Sequence, residues 1–154
     1  MSTNALLLDI YKALTGLASP PGRSAEHWKP CKGIEDLNGY NVIYSSDRVL
    51  EAVPDRAMPY IVMEVGGIAT LERKYAKAVT LYFDIAVKGQ ASNTLDESIR
   101  VSNAFSAWLI GLKVPSAIMF AVDSIDYSVG ERQTQYMNTR FATITARAVV
   151  EEKW

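Results

Sequence analysis

The chain has 154 residues and balances 16 basic against 17 acidic side chains, for a net charge of -1. Its length suits one domain over residues 1–154, and its near-neutral charge disfavours tight nucleic-acid binding because phosphate backbones are attracted by basic fields. No apolar run approaches the ~20 residues needed to cross a bilayer, and a single cysteine excludes an internal disulfide and a cysteine-based zinc site.

The N-terminal third combines one helix with a long irregular connection. Apolar residues at spacings of four, four and three predict an amphipathic helix whose stripe is Leu6, Ile10, Leu14 and Leu17. Gly16 ends this helix. An irregular segment follows at about 18–46, with a short strand predicted from Tyr40 to Tyr44. A connection of this length is uncommon in a compact domain and is usually functional or mobile.

Two strands with period-two alternation follow. In the first, Ile61, Met63 and Val65 share the buried face. In the second, the apolar set Val79, Leu81, Phe83, Ile85 and Val87 alternates with Thr80, Tyr82, Asp84, Ala86 and Lys88. One face of this strand is therefore expected to meet the core and the other to meet solvent or a partner. Because Gly66-Gly67 interrupts the first pattern, we expect a hairpin whose tip is residues 66–77.

The second half repeats the order of one helix and two strands. A helix is predicted from residue 94 to about residue 112, with a core stripe of Val101, Ala104, Phe105, Trp108, Leu109 and Leu112. The next strand changes its alternating phase near Asp123-Ser124, which predicts a β-bulge. The last strand, Tyr136 to Val150, carries small residues on one face, which permit close packing by a helix or a neighbouring subunit.

The order of these elements predicts the fold class. A helix, a long connection, two strands, a helix and two strands are typical of an α+β fold. We expect a mostly antiparallel sheet of about four main strands, with two helices packed on one face and a long loop in the N-terminal half.

One run carries a family resemblance. Between Arg48 and Val62, Pro54 and Pro59 fix their own φ angles and push the residues before them toward extended geometry. This run resembles the segment that precedes the first strand in the tail terminator, or tail completion, proteins of long-tailed bacteriophages and prophages. The element order is also similar, ending in Arg140-Phe141-Ala142. The resemblance covers most of residues 47–152, whereas the long 18–46 segment departs from the family pattern.

The resemblance implies a structural virion protein and no enzyme. Such a protein forms a homo-oligomeric, hexameric ring that caps the tail tube, stops its polymerisation and joins the tail to the head-side connector or neck protein. It is assembled in the host cytoplasm, and DNA passes through the lumen without specific binding. No catalytic residue, cofactor, metal or membrane partner is expected. One alternative is another neck or tail-tube subunit. A second is a small-molecule-binding or hydrolytic α+β domain, with the long loop as a lid over His27, Asp84 or Asp123.

Contacts to other subunits, to the tube or to the connector are expected at exposed aromatic and charged positions. Aromatic side chains anchor many interfaces, which favours the loop residue Trp28, and a ring subunit must use a sheet face or edge for its neighbour. Simple solvation is the competing interpretation of the strand residues. The candidates are Trp28, Glu72, Arg73, Lys74, Tyr82, Asp84, Lys88 and Arg140.

Catalytic and metal-binding interpretations are weaker. His27 and Cys31 stand four apart, but a zinc centre needs three or four protein ligands and a nucleophile needs a base and an orienting group. The carboxylates Glu64, Asp84, Asp123 and Asp126 are better explained by solvation or by salt bridges than by acid–base or metal chemistry. No Gly-Lys-Ser or Gly-Lys-Thr follows Gly66-Gly67, so no phosphate loop is indicated.

Overall fold

Two helices and six strands make up the part of the chain that the structure, a computed structural model, describes: residues 2–17, 29–44, 59–70, 76–87, 94–129 and 140–151. In chain order the elements are α1 Ser2–Thr15, β1 Lys29–Pro30, a 3₁₀ helix Glu35–Leu37, β2 Asn41–Tyr44, β3 Tyr60–Thr70, β4 Ala76–Val87, α2 Thr94–Ile110, β5 Met119–Val129 and β6 Arg140–Glu151. Neither helix in these ranges is long and apolar enough to cross a membrane.

All six strands form one mixed sheet in the order β1-β2-β3-β4-β6-β5. β2 runs parallel to β3, and every other neighbouring pair is antiparallel. The predicted α+β class with a mostly antiparallel sheet is confirmed, but the predicted count of about four strands is too low. Both additional strands lie inside the 18–46 segment. β2 confirms the short strand predicted from Tyr40 to Tyr44, whereas β1 was not predicted because two residues are too few for an alternating pattern.

Both helices contribute to one core on a single face of the sheet, called here the inner face. The predicted small-residue face of β6 is fully buried there, with Ala142, Ile144, Ala146, Ala148 and Val150 at 0% exposure. α2 packs on β6, β5 and β4, so the helix is the partner that these small residues admit. Phe83 of β4 meets Phe105 of α2 with ring centroids 4.8 Å apart. The α2 stripe predicted from the sequence is confirmed.

The expected end of α1 is correct, but one member of its stripe is not in the core. Gly16 has a positive φ of 79°, a conformation that glycine adopts without the penalty a side chain carries, and its N–H donates to the Lys12 carbonyl oxygen at 2.7 Å. The chain turns away at this point. Leu17 consequently lies beyond the helix and is 37% exposed.

Gly66 and Gly67 do not break the first long strand, contrary to the sequence prediction. β3 continues through them to Thr70, and its register against β4 shifts between Val65 and Gly67, which marks a β-bulge. The hairpin connection is therefore 71–75, outside the described residues, and is shorter than the predicted 66–77. The second predicted bulge is confirmed, since β5 shifts register against β6 between Val122 and Ser124.

Residues 31–40 are attached to the end of α1. The N–H groups of Lys32 and Gly33 both donate to the Leu14 carbonyl oxygen, at 2.7 and 2.9 Å. A Cβ on Gly33 would overlap the carbonyl oxygen of Ala13, so only glycine permits this close approach. The attachment fixes Lys32 beside α1 and places β1, which contains Lys29, at one border of the sheet.

Candidate interaction surface

The face of the sheet opposite the helices, called here the outer face, carries most of the polar strand residues. Antiparallel register aligns these residues in rows that cross the strands. Two central rows are Glu64, Tyr82, Thr145 and Ser124, and Val62, Asp84, Thr143 and Asp126. The outer face therefore brings together Tyr82 and Asp84, two of the contact residues predicted from the sequence. It also carries three of the four carboxylates considered above as a cluster, which are Glu64, Asp84 and Asp126.

Asp84 is held within the outer face. The hydroxyl of Thr143, its cross-strand neighbour, donates to Asp84 Oδ1 at 2.6 Å. The residue is only 7% exposed, and a carboxylate that is so enclosed needs such donors to offset its desolvation. Asp84 thus supports the shape of this face and offers little of its own surface to a partner.

Tyr82 lies over the bulge in β3. A Cβ added to Gly66 would overlap several atoms of the Tyr82 ring, so the glycine leaves the space that this ring occupies. The Tyr82 ring covers the backbone at Gly66, which has no side chain of its own. This packing offsets the weakening of a strand by an internal glycine. Tyr82 stays partly exposed, so a flat ring is presented in the middle of the outer face.

Arg147 and Asp123 form an ion pair across the β5 bulge. Arg147 Nε lies 3.2 Å from Asp123 Oδ1 and 3.1 Å from Oδ2, and the two side chains are 54% and 38% exposed. Because the pair is solvated, it contributes little to stability. It neutralises the charge of Asp123, whereas Asp126 is exposed and forms no ion pair within the described ranges.

One end of the outer face is apolar. A second small core joins Ile43, Tyr60, Val62 and Ala86, with Phe141 packed against it. The Tyr60 and Phe141 rings are tilted by 53° with centroids 6.5 Å apart, which is within the usual range for aromatic pairs. The start of β3 is therefore buried on both faces, although its alternating sequence pattern predicted one well-buried side.

The described residues assemble no metal site. No group of three or more His, Cys, Asp or Glu side chains within the described ranges has the geometry to hold a metal ion. Cys31 is completely buried in the core, and burial raises the pKa of its thiol, partly offset by hydrogen bonds from the backbone N–H groups of Ile34 and Gly33. A thiol in this environment is a poor nucleophile, because the thiolate is the reactive form.

Several predicted contact residues lie outside the described part of the chain. They are Trp28, Glu72, Arg73, Lys74 and Lys88, together with His27 of the His27–Cys31 pair. The backbone of Arg140 starts β6 opposite Val87 and Val129, while its side chain is not among the described ones. Trp108 is half-buried and packs on Phe105 at a centroid distance of 5.6 Å, in agreement with its predicted core role.

The roles of Gly66, Thr143 and Arg147 in organising the outer face were not predicted from the sequence. A glycine inside an otherwise regular strand was the available signal for a close approach. The partners of Asp84 and Asp123 needed the register of β6 against β4 and β5, which alternation alone does not fix.

The chain is an α+β protein. Helices cover the inner face of its sheet, and the outer face is mostly polar. No protein-family model matches the chain, and no curated protein matches it either.

Proposed function

We propose that this chain is a ring-forming, non-enzymatic subunit of a phage-type tail, with the role of a tail terminator. It caps the tail tube, stops polymerisation and joins the tail to the head-side connector. The observation that carries the proposal is the element order of helix, long connection, β3–β4 hairpin, helix and β5–β6 pair, which agrees with the order expected of tail terminators. The proline-framed run Arg48 to Val62 adds the sequence resemblance.

The division of the sheet into two faces supports a structural role. The inner face is filled by the chain's own helices, so the fold does not need a partner there. The outer face presents Tyr82 and rows of threonine and carboxylate side chains without a metal cluster among the described residues. Tyrosine is enriched at protein interfaces and among the residues that contribute most to binding, which favours Tyr82 as a contact residue.

The charge of the chain agrees with a DNA-conducting ring. A net charge of -1 per subunit provides no excess of basic residues to hold the phosphate backbone by counterion release. DNA then passes through the lumen without being retained.

A capping assay tests the proposal. Tube protein is polymerised with and without the purified chain, and tube lengths are measured by negative-stain microscopy. A terminator shortens the tubes and adds one ring at an end. A chain that lengthens tubes is a tube subunit instead, and a chain that leaves length and ends unchanged is no terminator.

A matched pair of variants connects this activity to the outer face. Thr145→Arg places a long cation beside Tyr82 in the central row, while Asn103→Arg places the same side chain on an exposed position of α2, on the other side of the sheet. We expect Thr145→Arg to lose capping and Asn103→Arg to retain it. Equal activity of the two variants would exclude the outer face as the contact surface.

A further inference from the structure

The two borders of the sheet carry opposite charges. At the β5 border, Asp126 is exposed on the outer face, whereas at the β1 border Lys29 and Lys32 are exposed beside α1. None of these three residues forms an ion pair with another described residue. Five inter-strand steps of about 4.8 Å separate β1 from β5, so the borders lie about 24 Å apart and do not neutralise each other within one chain.

We propose that the β5 border of one copy docks on the β1 border of a second copy, head to tail, with Asp126 facing Lys29 and Lys32. This inference rests on the proposed ring-forming function and names its subunit interface. A heterologous contact of this kind repeats around an axis and closes into a ring when the rotation allows it. Met119 of β5, on the outer side, and Leu17 next to α1 supply exposed apolar surface at the two borders.

The geometry favours overlap of the borders over continuation of the sheet. β1 is two residues long, and Pro30 has no backbone N–H to donate to an added strand. Asp126 lies on the outer face, while Lys29 pairs with the core residue Val42 and so shares the inner-face side. The outer face of one subunit at its β5 border therefore contacts the inner-face side of the next subunit at its β1 border.

Charge also disfavours the symmetric alternative. A two-fold contact between two β5 strands with its axis beside Asp126 would bring the Asp126 side chains of both copies together, and like charges in that arrangement repel. The contact between unlike borders instead places Asp126 of each copy against the lysines of the next.

Charge reversal tests the interface. Asp126→Lys and Lys29→Glu are each expected to raise the protein concentration for half-assembly about fivefold at low ionic strength, the upper range for an exposed ion pair. An equimolar mixture of the two variants should assemble at a lower concentration than either variant alone. When the two variants alternate around the ring, each contact joins one cation and one carboxylate at positions 126 and 29, so every contact is again complementary. Both residues are exposed, so each variant should keep its Tm within about 2 °C of the wild type.

The outcomes separate the interface from the function. If both single variants form rings at the wild-type concentration, or if their mixture does not recover assembly, this interface is overturned and the ring-forming function stands. A wild-type chain that stays monomeric both alone and with tail tubes would overturn both. Light scattering after size-exclusion chromatography measures each case.

Discussion

The two faces of the sheet differ in what holds them together. On the inner face, the inward side chains of β4 and β6 are apolar, buried and covered by helices of the same chain. On the outer face, a small apolar core lies at one end, and the remaining strand residues are mostly polar and linked by single contacts such as Thr143 to Asp84 and Arg147 to Asp123. Stability is therefore concentrated on the inner face, whereas Tyr82, Arg147 and Asp126 of the outer face are partly or fully exposed. Four predictions test this division, in order of decreasing effect.

The largest effect is expected from the inner face. Phe83→Ala removes a fully buried ring that contacts Phe105, and should lower the free energy of unfolding by about 3–5 kcal/mol. Urea denaturation followed by circular dichroism measures it. Thr80→Ala, on the outer side of the same strand, is the control and should change stability by less than about 0.5 kcal/mol. Similar losses for the two variants would contradict the division.

Tyr40, at the margin of the core, should make the free energy of unfolding depend on pH. Burial raises the pKa of Tyr40 to about 12; Glu97 adds to this shift and Arg100 opposes it. An unfolded tyrosine ionises near pH 10, so stability is complete below about pH 10. Above that pH only the unfolded state loses the proton, and stability falls by up to roughly 2–3 kcal/mol as the pH rises to about 12.

Tyr40→Phe isolates this contribution, because all other titrating groups are shared with the wild type. The difference in unfolding free energy between the two proteins should change with pH between about 10 and 12 and stay constant below about pH 9. Parallel profiles over the whole range would show that Tyr40 titrates normally.

A smaller effect is expected at the glycine of the outer face. Gly66→Ala would place a methyl group in the space of the Tyr82 ring and should cost about 1–3 kcal/mol, as overpacking typically does. Gly66 does not have a positive φ, so the cost is steric. Adding Tyr82→Thr should recover most of the loss in a double-mutant cycle, measured by thermal unfolding. Additive losses would mean that the ring and the glycine do not share this space.

The smallest effect belongs to the exposed ion pair. Arg147→Ala should lower the free energy of unfolding by only about 0.2–1 kcal/mol, and added salt should reduce the difference. Chemical denaturation at low and high ionic strength measures it. A salt-independent loss above about 2 kcal/mol would mean that the pair is structural, in conflict with its exposure.

The inner face could be predicted from the sequence because it depends on period alone. The alternation in β4 and β6 and the helical stripe of α2 each identified their buried residues, and the phase change near Asp123 identified the bulge. Burial is a strong, non-directional effect, so any long element must show it in its pattern.

The outer face and β1 could not be predicted in the same way. β1 is too short for a period, and the contacts of Asp84, Tyr82 and Arg147 depend on register between strands. Gly66 was interpreted as a break because the sequence does not show that Tyr82 occupies the space beside it. Polar contacts between strands form only in one strand register, and the register cannot be read from the pattern of residue types alone.

Native mass spectrometry of the wild-type protein, alone and with tail tubes, tests whether identical copies of this chain close into a ring. We expect one closed assembly, about 102 kDa for six copies of the 17.0 kDa chain, that persists on dilution and loses subunits in the Asp126→Lys variant. A 17.0 kDa monomer under both conditions would contradict it.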